Sequence, residues 1–153
     1  MRCRRRLLGT FAIAGMLACS GCGSVKDSDV IRGWAQALTA GNLDRAASYF
    51  ATPALVENGT PPVRITSRRE ARAFNELLPC GARLVATARH GVYTYATFRL
   101  TDRVGGACGA GVGERAATAF LIRDGKIEQW RRLPTPGGGQ QALPPGQGQG
   151  PAV

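Results

Sequence analysis

Residues 30–58 constrain the fold of this chain more than any other segment. Apolar residues recur at helical spacing in its first third, and Gly41 follows where a left-handed residue would end a helix. Asn42 is a typical N-cap for a second short helix, which we predict over Leu43–Phe50. A short strand is predicted over residues 55–57. This order predicts two helices that lead directly into a sheet.

The rest of the folded part changes from helical to strand periodicity near Cys80. Ser67 and Glu70 have the spacing of a capping box and predict a third helix through Leu78. The apolar face of that helix is predicted to hold Ala71, Phe74, Leu77 and Leu78. Alternating patterns then predict four strands, at Ala82–Arg89, Val92–Leu100, Glu114–Arg123 and Lys126–Leu133. Asp124-Gly125 is a strong signal for a type I′ hairpin turn. Three helices followed by a strand meander predict an α+β fold whose sheet wraps the helices.

The first 22 residues have the pattern of an export signal and are set apart from the fold. Arginines precede an apolar stretch, Leu7–Ala18, that is shorter than the ~20 residues needed to span a bilayer. Cys19 and Cys22 follow, and the segment resembles a bacterial lipoprotein signal, in which a cysteine becomes the first residue and is acylated. The residues before Cys19 favour it, Cys22 stays open, and ordinary cleavage without lipid is the alternative. We expect an exported protein, anchored by lipid at the outer face of the cell membrane or secreted.

The remaining chain is long enough for one domain with a sizeable core. We assign residues 23–134 to this domain and residues 135–153 to a tail of mainly Pro, Gly and Gln. The tail contains no aromatic and no charged residue, so it cannot bury enough apolar surface to become ordered. We therefore expect the tail to be disordered.

The net charge of +10 overstates how basic the folded domain is. Removing the four arginines of the signal from the twenty basic residues leaves sixteen, against ten acidic residues. The remaining arginines are spread along the chain, and neither Arg68-Arg69 nor Arg131-Arg132 is interleaved with the aromatic residues that stack on nucleic-acid bases. Nucleic acid is therefore not an expected partner. The charge indicates either attraction to an anionic envelope surface or, as we favour, simply solvated arginine faces.

Cysteine usage agrees with export. Only Cys80 and Cys108 fall in the folded domain, and both are flanked by loop residues, so we predict that they form one disulfide. In the chain-entropy view, closing this loop stabilises the fold by ~3–4 kcal/mol. No metal site is expected, because His90 is the only histidine and no third ligand lies near the cysteines. We expect no cofactor either.

The order of elements resembles the cone-shaped α+β domains of the nuclear transport factor 2-like and SnoaL-like superfamily, which includes ketosteroid isomerase. The resemblance covers about Val30 to Leu133. It rests on four segments: Ala37–Asp44, Tyr49–Ala51, Ala54–Asn58 and Phe120–Trp130. It implies a curved sheet that, with the first helices, encloses one apolar pocket open at one end.

The isomerase relatives use a carboxylate base, a tyrosine and a protonated aspartic acid to move a proton next to a carbonyl. The resemblance places these groups at Asn58, Trp34 and Thr118. The amide of Asn58 cannot accept a proton at neutral pH. Trp34 keeps a donor with a different reach, and Thr118 is a weaker donor than a protonated aspartic acid. Glu57 and Glu76 are expected to face away from the pocket. We therefore name no catalytic residue and favour a non-catalytic protein.

Two classes of function remain. The first is a binding module for a small apolar ligand or an envelope partner protein. Its candidate pocket is lined by Trp34, Asn58, Phe74, Thr118, Phe120 and Trp130. In it Asn58 would be the polar anchor, unless the aromatic residues are simply core. A partner would use the outer sheet face, where Tyr93, Tyr95 and Arg99 are presented, and a homodimer could form through the same sheet. The second class is an enzyme of the cyclase, dehydratase or isomerase kind with other catalytic residues.

Overall fold

The computed structural model describes residues 25–59 and 61–134. Its helices are α1 (Asp27–Thr39), α2 (Leu43–Ser48) and α3 (Arg68–Glu76). Its strands are β1 (Phe50–Glu57), β2 (Val63–Ile65), β3 (Gly81–His90), β4 (Tyr93–Thr101), β5 (Arg115–Arg123) and β6 (Lys126–Leu133). The fold is α+β, as predicted. The predicted export signal with Cys19 and Cys22, and the predicted tail over 135–153, lie outside the described residues. Within those residues, no helix is long and apolar enough to cross a membrane.

The described strands form one mixed, mostly antiparallel sheet in the order β2-β1-β6-β5-β4-β3. The predicted meander is confirmed as β3 to β6, and β1 adds to it by pairing parallel with β6. The sequence analysis missed β2 and the first half of β1, because it extended the preceding helix to Phe50 and began the strand only at residue 55. Pro53 lies inside β1, where the register with β6 shifts between Phe50 and Leu55. Its missing N–H therefore falls at an interruption of the ladder.

Helices α1 and α2 are joined at the predicted break. Gly41 adopts φ +69°, and a Cβ atom there would lie 2.5 Å from the carbonyl oxygen of Val104, so the position requires glycine. Asn42 caps α2 by accepting a hydrogen bond from the backbone N–H of Arg45 at 3.0 Å. The helix ends at Ser48, two residues earlier than predicted, because Phe50 begins β1 and pairs with Ile127.

The capping box of α3 is present with one difference. The Ser67 hydroxyl accepts the backbone N–H of Glu70 at 3.2 Å, as predicted. The Glu70 carboxylate reaches Thr66, one residue before the cap, and accepts its N–H at 2.6 Å and its hydroxyl at 3.0 Å. These hydrogen bonds favour the ionised carboxylate and lower the pKa of Glu70 from its ordinary value of 4.5.

The far end of α3 departs from the predicted apolar face. The helix ends at Glu76, and Leu77 is its C-cap, which keeps helical backbone angles but is 76% exposed. Its expected place in the core is taken by Asn75, which is fully buried. Directly after this segment, Cys80 forms the predicted disulfide with Cys108 and ties the end of α3 to the β4–β5 connection.

The three helices pack against one face of the sheet, which we call the inner face. On β4, Thr94, Ala96 and Phe98 point to this face and are buried. The intervening residues of β4 point to the opposite, outer face. The β5–β6 turn has φ +50° at Asp124 and φ +70° at Gly125, which confirms the predicted type I′ conformation. The sheet therefore offers one packed face and one face without a covering helix among the described residues.

Candidate functional site

The structure brings four of the six predicted pocket residues into one aromatic cluster. The ring centroid of Trp34 lies 5.6 Å from that of Phe120 and 6.3 Å from that of Trp130. The Phe74 ring lies 5.1 Å from Trp130, and all these contacts are edge-on. The four side chains are at most 9% exposed. Edge-on aromatic contacts at these distances are typical of a packed core.

The other two predicted pocket residues are polar. Thr118 is buried on β5, on the same face as Phe120 two residues later. Asn58 directly follows β1 and is half-buried. Binding of a ligand by these residues or by the aromatic cluster stays a prediction.

The indole of Trp34 does not offer its donor to a ligand in this arrangement. Its Nε1–H donates to the Oδ1 atom of Asn75 at 2.8 Å, and both groups are buried. Asn75 in turn donates from Nδ2 to the backbone carbonyl of Ala71 at 2.7 Å. By contrast, Nε1 of Trp130 is buried without a hydrogen-bond partner among the described residues.

Sequence analysis missed Asn75 because an apolar-face pattern contains no signal for a polar residue. Its position four residues after Ala71 was the available indication, since that spacing puts both residues on one side of a helix. The Trp34–Asn75 bond joins α1 to α3 over the inner face. We infer that its role is to fix the two helices relative to each other.

The buried interior holds no carboxylate or histidine in the described part of the chain. The buried polar side chains there are Asn75, Thr94, Arg103 and Thr118. Glu57 lies at the surface, where its carboxylate meets Arg131 at 2.8 Å, and Glu76 pairs with Arg72 at 3.2 Å. His90 is exposed, with its ring stacked on Tyr95 at 4.3 Å. No group of three His, Cys, Asp or Glu side chains in the described segments is placed to hold a metal ion.

An open depression of about 370 Å³ lies between the start of α1 and strands β3 and β4. Its acidic group, Asp27, accepts hydrogen bonds from Arg89 at 2.9 Å and from the Thr94 hydroxyl at 2.6 Å. Both interactions are internal, so this carboxylate fastens the beginning of α1 to the sheet.

The outer face carries a strip of small residues around one partly exposed aromatic ring, on which the His90 ring stacks. Tyr95 on β4 is 36% exposed, and its neighbours across the strands are Ala88 and Ala119. Thr97 follows on the same face, between Ala86 and Ala117. We call these six residues the alanine strip. Among the described residues, no helix packs on it.

Three arginines lie next to the alanine strip. Arg83 on β3 is paired in register with Arg99 on β4, and Arg99 is paired with Arg115 on β5. All three are exposed, and we call them the arginine row. Sequence analysis treated these residues as scattered, because they are sixteen positions apart along the chain. Only the strand register brings them together.

No known family profile and no curated protein matches the chain in sequence. Several solved structures are similar in fold. A nuclear transport factor 2-like protein of unknown function from Cytophaga hutchinsonii gives a TM-score of 0.56 at 10% identity, over 73% of this chain and 92% of that one. A protein with a ketosteroid isomerase-like fold from Catenulispora acidiphila gives 0.52 at 16%, over 70% and 85%. This chain has the nuclear transport factor 2-like fold.

A further similar structure is a proposed polyketide cyclase from Sinorhizobium meliloti. It gives a TM-score of 0.53 at 18% identity, over 69% of this chain and 94% of that one. At such identities the likeness concerns the nuclear transport factor 2-like fold alone.

Within this nuclear transport factor 2-like domain, the three positions that the resemblance assigns to isomerase catalysis carry an indole, a hydroxyl and an amide group. Trp34 is already hydrogen-bonded to Asn75, and Thr118 is buried. Asn58 lies at the end of β1 and has no proton-accepting group at neutral pH. The carboxylate nearest to it in sequence, Glu57, is held by Arg131 at the surface. None of these three positions therefore carries the carboxylate base that the resemblance implies.

Proposed function

We propose that this chain is a non-catalytic binding module that docks a partner protein on the outer face of its sheet. The export signal in its sequence supports a partner in the cell envelope and a lipid anchor at Cys19 or Cys22. The single observation that carries the proposal is the exposed Tyr95 ring in the alanine strip, on a face without a covering helix among the described residues. Tyrosine is one of the residue types enriched among the energetic hot spots of protein interfaces.

The packing of the inner face also supports a binding role for the outer face. Its aromatic cluster is packed edge to edge, and the Trp34 donor is used within the fold. Because these side chains fill the space where a pocket was predicted, a partner is more easily bound on the surface than inside the domain. The absence of a carboxylate or histidine from the buried described residues supports a role without acid–base chemistry.

Charge favours a different protein over a second copy of this chain. The arginine row gives the outer face three positive charges that have no carboxylate partner in the described structure. Two such faces would bring like charges together, which is unfavourable unless they are offset. A homodimer through the sheet is therefore the second outcome to test.

Site-specific photo-crosslinking in intact cells tests the proposal. Tyr95→benzoylphenylalanine should give a discrete product with another protein, whereas Leu77→benzoylphenylalanine, at an exposed apolar position outside the sheet, should not. A product of twice the chain mass would assign the face to a homodimer. Equal products from both positions, or none from position 95, would contradict the proposal.

One observation favours a small ligand as a second candidate. The buried Nε1–H of Trp130 has no acceptor among the described residues, and a buried unpaired donor costs about 1–3 kcal/mol. An apolar ligand with a single acceptor atom beside Trp130 would supply that bond. Lipophilic compounds should then raise the melting temperature of the wild type, and Trp130→Phe should remove the shift. An unchanged shift in the variant would count against this site.

A further inference from the structure

The arginine row is a feature that the fold itself does not require. Directly opposed residues on neighbouring strands have Cβ atoms ~4.5–5.5 Å apart, and like charges at such positions are destabilising. In the described structure, none of the three guanidinium groups lies within ion-pair distance of a carboxylate, although Asp102 and Glu114 are close in sequence. Arg99 uses one N–H group to donate to the carbonyl oxygen of Gly113 at 2.9 Å. All three side chains are exposed to solvent.

We infer that the arginine row binds an acidic segment of the partner protein, in which carboxylate side chains alternate along an extended chain. This inference rests on the proposed function, because it names the chemistry of the partner that uses the outer face. A guanidinium group presents a planar fork of donors that matches a carboxylate in a bidentate geometry.

The spacing of the row fits such a segment. Neighbouring strands are about 4.8 Å apart, so three strands place the outer two arginines about 10 Å from each other. Side chains on one side of an extended chain repeat every ~6.8 Å. If the segment runs perpendicular to the strands, two carboxylates on one of its sides fall between the three guanidinium groups. Each carboxylate can then contact two guanidinium groups. The alanine strip beside the row leaves room for the backbone of the segment.

Binding of a short labelled peptide to the full chain tests the inference. The peptide has glutamate at alternate positions, and its counterpart with glutamine at those positions is the control ligand. The glutamate peptide should bind, and its affinity should fall with ionic strength. Arg99→Gln, at the centre of the row, should weaken binding by about tenfold, as expected for losing a charge-assisted hydrogen bond.

Arg45→Gln is the matched control variant, because Arg45 is an exposed arginine on α2 and its replacement makes the same change in net charge. It should leave peptide affinity within about twofold of the wild type, as expected for a screened charge away from the site. Equal weakening by Arg45→Gln and Arg99→Gln would overturn the inference, since it would reduce the effect to overall charge. Competition by anionic lipid vesicles, with no binding of the peptide, would assign the row to a membrane surface and also overturn it.

A stability measurement separates this role from a structural one. Arg83→Gln relieves repulsion without removing a hydrogen bond made by the described residues, so it should raise the melting temperature by about 1–4 °C at low salt. The same variant should weaken peptide binding. A lowered melting temperature would give the row a role in folding and contradict the inference.

The two proposals fail separately. If the crosslink from position 95 persists in Arg83→Gln and Arg99→Gln with undiminished yield, the outer face binds its partner without the arginine row. If position 95 gives no crosslink while the peptide still binds, the row binds anions and the proposed docking role is wrong.

Discussion

The two faces of the same strands have opposite characters. On β4, Phe98 is among the largest fully buried side chains, whereas Tyr95 on the other side is 36% exposed. On β5, Phe120 packs against Trp34, whereas Arg115 extends the arginine row across the outer face. The inner face contains the interactions that stabilise the domain. The outer face contains Tyr95 and the arginine row, which the stability of the fold does not require. These groups are therefore the candidates for function.

The largest effect should come from a pair of substitutions on β4 that compares the faces directly. Phe98→Ala should lower the free energy of unfolding by about 3–5 kcal/mol, because it leaves a cavity among packed rings. Tyr95→Ala should lower it by less than about 1 kcal/mol, because its ring is partly in water already. Urea unfolding followed by circular dichroism measures both. Similar losses of unfolding free energy in the two variants would mean that the outer face is packed as tightly as the inner one, and would contradict the difference between the faces.

The disulfide between Cys80 and Cys108 should have the next largest effect. Replacing both residues by serine removes a constraint on the unfolded chain and should cost ~3–4 kcal/mol. The same loss should follow when a reductant is added to the wild type, and the reductant should not change the double variant. Thermal unfolding with and without reductant checks this prediction. A reductant effect that persists in the double variant would show that the loss does not come from this bond.

A fully buried and a partly buried hydrogen bond give a second contrast between the two faces. Asn75→Ala leaves the Trp34 donor buried without an acceptor and should cost about 1–3 kcal/mol, beyond the loss of packing. Gln129→Ala removes the acceptor of the Tyr93 hydroxyl on the outer face, but water can replace it, so the cost should stay below about 0.5 kcal/mol. Chemical unfolding of both variants gives the difference. A larger loss of unfolding free energy for Gln129→Ala than for Asn75→Ala would contradict the conclusion that the inner face stabilises the domain.

The smallest effect concerns Glu70, which belongs to neither face. Its pKa is lower in the folded state than in the unfolded state, so its ionised form stabilises the native protein above the unfolded value. That contribution is lost as the pH falls through the lowered folded pKa. Glu70→Gln should be less stable than the wild type at pH 7, and the difference should shrink towards pH 3. Melting temperatures across this range check the sign, and a constant difference would contradict it.

Local signals were enough to predict much of the fold. Asn42, Ser67 and Asp124-Gly125 each act through hydrogen bonds or backbone angles within a few residues, and each was placed correctly from sequence. The four strands of the meander were found because alternation is a property of a single segment. Cys80 and Cys108 were paired because they were the two cysteines available in the folded domain.

What the sequence analysis missed depends on partners distant in the chain. Phe50 and Leu55, on either side of Pro53, belong to a strand because they pair with β6, which lies more than seventy residues later. The burial of Asn75 depends on a donor from α1. The arginine row exists only because the registers of β3, β4 and β5 coincide at Arg99. No periodicity within one segment contains this information.

The parallel pairing of β1 with β6 has a consequence for how the domain is made. The first strand to be synthesised needs the last one as its neighbour, so the edge of β1 that faces β6 stays open until the whole domain is available. Contacts between segments this far apart slow folding and leave strand edges available for wrong partners. A premature stop before Lys126 would therefore expose two unprotected edges, on β1 and on β5, and the truncated chain should aggregate rather than keep a shorter sheet.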